Sequence, residues 1–351
     1  MQQIIRQLAA EIKVGEQQVR AAVELLDGGA TVPFIARYRK EVTGGLDDIQ
    51  LRELEARLSY LRELDERRAA VLKSIDEQGK LTDALRAAIA AAPTKQELED
   101  IYLPYKPKRQ TKAEIARKKG LEPLATLLML QTAQDSTKAA SPYVKGEVKD
   151  VREALQGARD IIAEWVNEDE QARNTVRNSF SRTAVISSKV VKGKEEEGSK
   201  YRNYFDFSES LNRCSSHRLL ALRRGEAEGF LRVSISPDAE GCIERLNRRF
   251  VKGRSDTSAQ VEEAVGDSFK RLLKPSIETE FANLSKMKAD EEAIRVFSEN
   301  LRQLLLSPPL GQKRVLGVDP GYRTGCKVVC LDAQGNLVHN EAIYPHPPQN
   351  E

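Results

Sequence analysis

Apolar residues Leu51, Leu54, Leu58, Leu61, Leu64, Leu72 and Ile75 recur mostly at spacings of three and four, with a lapse around Arg68. The pattern predicts one long amphipathic helix from Asp47 to Gly79. Asp47 or Asp48 can accept hydrogen bonds from its first free amides, and Gly79 can take the left-handed conformation that ends it. A second long helix is predicted from about Ser276 to Leu306, with Ile277, Phe281, Leu284, Met287, Ile294, Phe297, Leu301 and Leu304 on its apolar side. Ser307, Pro308 and Pro309 stop it. Thr94 with Glu97, and Thr111 with Glu114, have the capping-box spacing, in which hydroxyl and carboxylate each satisfy an unpaired amide, and they start two shorter helices. Between those, Pro104 and Pro107 in LPYKPKR break the helix and hold an extended, strongly basic loop.

Elsewhere the period shortens to two. GFLRVSISP, a turn and CIERL predict a short hairpin within a helical surround. After Gly311 the segments RVLGVDPG and CKVVCLDAQGNLVHNEAIY read as three strands separated by Gly-rich turns, so a different domain begins there. Three short strands with nothing over their apolar face expose both sheet surface and edge, and the chain is therefore expected to stop within that domain. The domain reading is 1–190, 191–311 and 312–351. GKEEEG at Gly193 to Gly198 is expected to be a solvated turn.

Composition narrows the class. With 40% hydrophobic, 31% charged and only 5% aromatic residues, packing through Leu, Ile, Val and Ala in helices fits best. The formal net charge of +3 means that any attraction for phosphate must come from local patches. Cys214, Cys242, Cys326 and Cys330 contain no CxxC pair and fit a reduced interior. MQQIIRQLAAEIKVG lacks the unbroken apolar core of a signal peptide, and no stretch reaches membrane-spanning length, so a cytoplasmic protein with no membrane partner is expected.

The richest candidate for chemistry is KPKRQTKAEIARKKGLEPLATLLM. Lys106, Lys108, Arg109, Lys112, Arg117, Lys118 and Lys119 crowd around a helix, a glycine turn and a second helix, and form the expected nucleic-acid-binding set. Ala116 and Gly120 have helix-turn-helix spacing, and Pro123 suits the first turn of the second helix. LEPLATLLML, however, offers almost nothing that hydrogen-bonds base edges, which favours phosphate contact over sequence reading; the plainer alternative is a solvated basic face. Arg37, Arg39 and Lys40, before Gly44 and Gly45, are a second basic candidate, with solvated cations on a turn as the plainer reading. Asp319 closes an apolar strand, as the first carboxylate of a two-metal nuclease would, but a lone carboxylate is not a site. Asp332 falls in a turn, the three glutamates of GKEEEG are not expected to converge on a metal, and His217, His339 and His346 are dispersed.

Taken in order from about Val32 to the C-terminus, VPFIARYRKEVTGGLDD, LEDIYLPYKPKRQTKAEIARKKGLEPLA, GKEEEGSKYRNYFDF, SHRLLALRRGEAEGFL and VLGVDPGYRTGCKV resemble the bacterial Tex family of transcription accessory proteins. The resemblance implies a mainly α fold: a multi-helix N-terminal scaffold with a helix-turn-helix-like element and a small β-hairpin, then the truncated start of an α/β ribonuclease-H-like domain of the YqgF type. In the family, helix-hairpin-helix units and an OB-fold RNA-binding module follow. The implied function is nucleic-acid binding, RNA or DNA and weak for this portion, with a scaffold role toward the transcription machinery, no catalysis and no cofactor. The alternatives are a metal-dependent nuclease once the rest of the domain is present, with Asp319 as its only support, and a protein-interaction scaffold contacting transcription or translation machinery.

Overall fold

The computed structural model describes residues 1–107, 110–321 and 325–345. The chain forms two units, one of Met1–Cys214 with Gly229–Asn283 and a second of Ser215–Glu228 with Leu284–Glu351.

In the first unit, α1 (Gln2–Ile12), α2 (Glu16–Asp27) and α3 (Val32–Tyr38) pack on the N-terminal half of α4 (Asp48–Glu77). Ile5, Leu8, Val19, Val23 and Ile35 meet Leu51, Leu54 and Leu58 in one core. Both ends of α4 are where the sequence puts them. Asp47 Oδ1 accepts from the Gln50 amide at 2.8 Å, and the Gln50 side chain accepts from the Asp47 amide at 3.1 Å. Gly79 has φ +65°, and the Lys80 amide donates to the Ile75 carbonyl at 3.2 Å. Across the lapse the apolar stripe runs from Leu64 to Val71 and Ile75, with Val71 rather than Leu72 fully inside. Arg68 takes the missing position and donates to the Ala92 carbonyl. This half of α4 forms a second core with α5 (Asp83–Ala91) and α6 (Lys95–Tyr102) through Ile89, Leu98 and Tyr102. One helix, about 45 Å long at 1.5 Å per residue, thus carries two cores.

The hydroxyls of Thr94 and Thr111 accept from the amides of Glu97 and Glu114, starting α6 and α7 (Lys112–Lys118). The break between them is not extended at its start: Leu103–Tyr105 is a turn of 3-10 helix with Pro104 inside it, a place where proline's fixed φ is tolerated. Beyond lie α8 (Glu122–Leu130), α9 (Ser136–Ala140), α10 (Val151–Glu168) and α11 (Glu170–Thr183). The expected hairpin needs correcting. GFLRVSISP contributes a strand, but its partner is not CIERL. Strands β1 (Val185–Val190), β2 (Asp206–Ser210) and β3 (Leu231–Ser236) form an antiparallel sheet of order β2-β1-β3, with Ile186 opposite Ile235.

After α12 (Ser216–Ala227), in the second unit, and β3, CIERL lies within α13 (Ala239–Phe250), because Asp238 caps the Gly241 amide and Cys242 and Leu246, four apart, are both buried. Five residues cannot separate alternation from helical spacing; the window out to Phe250 can. Helix α14 (Asp256–Ser268) passes through a π-turn at Phe269–Leu273 into α15 (Lys274–Leu305). Pro275 lacks the amide that a regular helix would use there.

In the second unit the three strands that the sequence predicts are present as β4 (Val315–Asp319), β5 (Cys326–Leu331) and β6 (Leu337–Ile343), and they form an antiparallel sheet in that order. On α15 the predicted apolar side divides. Ile277 is buried and Phe281 lies 5.2 Å from Phe180, ring to ring, whereas Leu284, Met287, Ile294, Phe297, Leu301 and Leu304 are exposed in this chain. Among the described residues the cysteines form no disulfide, and no helix is long and apolar enough to cross a membrane.

Candidate nucleic-acid interface

The basic corner is α7, a turn and α8. Gly120 makes the turn at φ +76°, a conformation that side chains disfavour, and the Leu121 amide donates to the Ala116 carbonyl at 3.2 Å. Pro123 sits in the first turn of α8. The corner is braced by α10, which approaches closely because residue 157 is glycine: a Cβ there would lie 2.4 Å from Leu121 Cδ1 and 3.2 Å from Ala116 Cβ. The outline is helix-turn-helix-like, but Leu124, Ala125 and Leu128 of α8 point inward. Its exposed side presents Glu122, Pro123, Thr126 and Leu130, and the Thr126 hydroxyl is spent on the Glu122 carbonyl. Such a face has little with which to read bases.

The seven predicted cations separate by partner. Arg117 Nη1 donates to Glu164 Oε2 at 2.6 Å, and Glu122 and Glu114 lie at 3.5 and 3.9 Å. Burial works against the Arg117 charge, but its hydrogen bond to Glu164 and the charges of Glu164, Glu122 and Glu168 outweigh it and hold the guanidinium above its usual pKa. Lys119 Nζ donates to Glu153 Oε1 at 2.6 Å, which raises the ammonium pKa and lowers that of the carboxyl. These two cations fasten α7 and its turn to α10. Lys106, Lys112 and Lys118 are exposed and have no ion-pair partner within 4 Å among the described residues. Lys106 and Lys112 share the rim of a cavity of about 370 Å³ with Asp160, Glu164, Asn167 and Arg271. Burial raises the Asp160 pKa, with Arg271 and Lys112 pulling the other way. Lys118, in the last turn of α7, also complements the helix dipole. Lys108 and Arg109 lie outside the described residues. Glu153 and Glu164, which decide which cations are available, carry no signal near the basic run; they are 34 and 47 residues from their partners.

The second basic candidate follows α3. Val32 and Ile35 face the core, while Arg37, Arg39 and Lys40 are exposed. The other candidates stay apart. Asp319 is exposed at the end of β4, opposite Lys327, and no group of three His, Cys, Asp or Glu able to hold a metal occurs among the described residues. Asp332 builds the β5–β6 turn, accepting from the amides of Gln334 and Asn336 at 2.9 and 2.8 Å; the Asn336 side chain leads the bonds that hold its carboxyl below the usual range. GKEEEG is a turn in which Lys194 pairs with Glu197 at 2.7 Å. His217 meets Ser215 at 3.4 Å, His339 meets Glu341 at 3.3 Å, and His346 lies outside the described residues.

A multi-helix body with a braced basic corner, followed by three antiparallel strands, defines a modular, mainly helical protein. Comparison with known proteins gives the family. Residues 2–76 match the Tex-like protein N-terminal domain, 131–297 the Tex central region-like family and 313–351 the Tex protein YqgF-like domain. The chain is 46% identical over 353 residues to Transcriptional accessory protein Tex of Neisseria gonorrhoeae, covering 99% of this chain and 47% of that protein. It is 47% identical over 364 residues to Protein tex of Bordetella pertussis, covering 99% and 46%. With S1 RNA-binding domain-containing protein 1 of Homo sapiens it shares 32% identity over 341 residues, covering 92% and 34%. The chain spans about half the length of the curated bacterial relatives it matches. It belongs to the Tex family.

Proposed function

We propose that this chain is the nucleic-acid-contacting and scaffolding region of a transcription accessory factor, working in the cytoplasm by binding rather than by bond-making. The observation that supports this reading is the division of labour at the α7–α8 corner. Arg117 and Lys119 are fixed by Glu164 and Glu153, while Lys106, Lys112 and Lys118 stay in solvent on the corner those pairs hold rigid. Fixed backbone with free ammonium groups suits phosphate, which carries affinity without base information. The corner is one weak contact among several on a longer chain, each raising the effective concentration of the next on RNA or DNA or on the transcription machinery. RNA is the first ligand to test because the human relative's name speaks of RNA binding.

The test is the salt dependence of binding to a short single-stranded RNA and a duplex DNA, beside Lys106→Gln/Lys112→Gln/Lys118→Gln. Losing three phosphate contacts should flatten the log–log salt slope on single strands by about 2. An unchanged slope would refute the corner as a phosphate contact. No binding at low salt to either nucleic acid would leave a protein scaffold as the function.

A further inference from the structure

We infer that α3 and the loop after it form a second, distinct binding surface for single-stranded nucleic acid, on which bases stack against Phe34 and Tyr38 while Arg37, Arg39 and Lys40 hold the phosphates. The inference rests on the nucleic-acid reading above but on different residues.

α3 has two faces. Val32 and Ile35 go into the core, and Phe34, Arg37 and Tyr38, at helical spacings of three and four, form the opposite one. Phe34 is 40% exposed and Tyr38 61%, a large amount of ring surface to leave in water, and their centroids are 5.5 Å apart. The Arg39 guanidinium lies 5.2 Å from the Phe34 centroid. Rings and cations therefore alternate along one strip. Unlike Arg117 and Lys119, none of Arg37, Arg39 and Lys40 has an ion-pair partner within 4 Å among the described residues, and Glu41 is the only acid between Asp27 and Asp47.

The loop is also held in place, which separates it from a floppy solvated turn. The amides of Val42 and Thr43 donate to the Arg39 carbonyl at 3.1 and 3.2 Å, and the Gly45 amide donates to the Lys40 carbonyl at 2.8 Å. Thr43 is fully buried. The Gln18 side chain on α2 donates to the Gly44 carbonyl at 2.8 Å, and Gly44 and Gly45 have φ +61° and +93°. Arg39 Nη1 donates to the Tyr38 carbonyl at 2.8 Å, a bond that leaves its charge unneutralised. Exposed rings on a held backbone, beside cations without a carboxylate partner, are what sequence-tolerant recognition of single strands uses: every base has a π-face and every linkage a charge. Duplex DNA keeps its base faces stacked inside and cannot use the rings. An acidic protein segment would use the cations and has no requirement for two exposed aromatic faces.

The experiment measures binding of the chain to a fluorescein-labelled twelve-nucleotide oligouridylate, a duplex DNA and a twelve-residue polyglutamate. The variants are Phe34→Ala, Tyr38→Ala, Arg37→Gln/Arg39→Gln/Lys40→Gln and Tyr38→Trp, each checked for native circular dichroism. Each ring deletion should weaken oligouridylate binding roughly tenfold, leaving duplex binding unchanged. The triple change should flatten the salt slope by about 2, and Tyr38→Trp should keep binding while its added indole emission is quenched. Ring deletions without effect, beside a triple change that weakens binding, would overturn stacking. Oligouridylate binding untouched by every variant here but weakened by the Lys106, Lys112 and Lys118 changes would overturn this site and leave the proposed function standing. Ring-dependent polyglutamate binding equal to that of oligouridylate would reassign the strip to a protein partner. No binding to any nucleic acid would overturn both readings.

Discussion

Removing Asp100 should unfold the first unit more readily than any surface charge change. Its side chain is 6% exposed and accepts from Arg173 Nε at 2.7 Å, Arg177 Nη1 at 2.5 Å and Arg177 Nη2 at 3.0 Å. Glu280 accepts from Arg177 Nε at 3.0 Å, and Ser276 Oγ accepts from Arg173 Nη2 at 3.2 Å. Two cations and two carboxylates thus join α6, α11 and α15 with no net charge. Asp100→Ala leaves two desolvated guanidinium groups to share Glu280. Breaking a buried pair in this way costs about 3–5 kcal/mol, far above the roughly 0–1 kcal/mol of an exposed pair. At about 2–4 °C per kcal/mol for a domain of this size, Tm should fall by roughly 6 to 20 °C. The only tryptophan, Trp165 on α10, reports on this unit by fluorescence during thermal or urea unfolding. Replacing all four charged partners by Leu or Met should recover most of the loss, since a well-packed apolar set removes the desolvation cost along with the attraction. A loss below about 1 kcal/mol for Asp100→Ala would show that water reaches the network and that the helices are held by apolar contacts alone.

Gly157→Ala tests the brace on the basic corner. The new methyl meets Leu121 Cδ1 and Ala116 Cβ, and Leu121 is 1% exposed with little room to move. Overpacking of about 1–3 kcal/mol against about 1 kcal/mol of helix propensity predicts a net loss near 1 kcal/mol by urea unfolding; a gain in stability would show that α7 and α8 slide freely on α10. For pH, the hydrogen bonds of Glu11 to Arg57, Asp27 to Arg62 and Asp256 to Ser136 hold these carboxyls below their usual values. The unfolded chain therefore takes up these protons first. Their stabilisation is complete above the ordinary carboxylate range near 4 and is lost as pH falls through the lower folded values. Each exposed Arg pair should contribute about 0.2–1 kcal/mol, so Glu11→Gln/Asp27→Asn should flatten the acid limb of stability against pH, and an unchanged limb would contradict the sign.

Legibility in the sequence followed the range of the interaction. The ends of α4 were readable because Asp47, Gln50 and Gly79 act within a few residues of themselves. The three terminal strands were readable because their turns are short and rich in glycine. Strand β1 is not legible: VISSKV has two central serines, and its pairing with β3 joins residues as distant as Val185 and Ser236. The ion pairs were invisible for the same reason. Asp100 is 73 residues from Arg173 and 77 from Arg177, and nothing local to any of them marks the pairing.

That difference in range also reverses the order of the two basic candidates. A run of cations in sequence records positive charge but not the carboxylates that will neutralise it. The stretch from Lys106 to Lys119 is much the denser, yet Arg117 and Lys119 meet acids delivered by α10 and become part of the scaffold. Arg37, Arg39 and Lys40 are fewer, but their loop is tied down by Thr43, Gln18 and backbone bonds rather than by carboxylates, so rigidity there uses up none of their charge. Anion binding needs both properties at once, a fixed frame and unspent cations. At the α7–α8 corner the frame is made from part of the cation set, and at α3 it is made without it. The smaller cluster should therefore contribute more binding per cation, which predicts a larger fold-loss per charge removed from Arg37, Arg39 and Lys40 than from Lys106, Lys112 and Lys118 in the same salt titration; equal losses would mean that exposure alone sets the contribution.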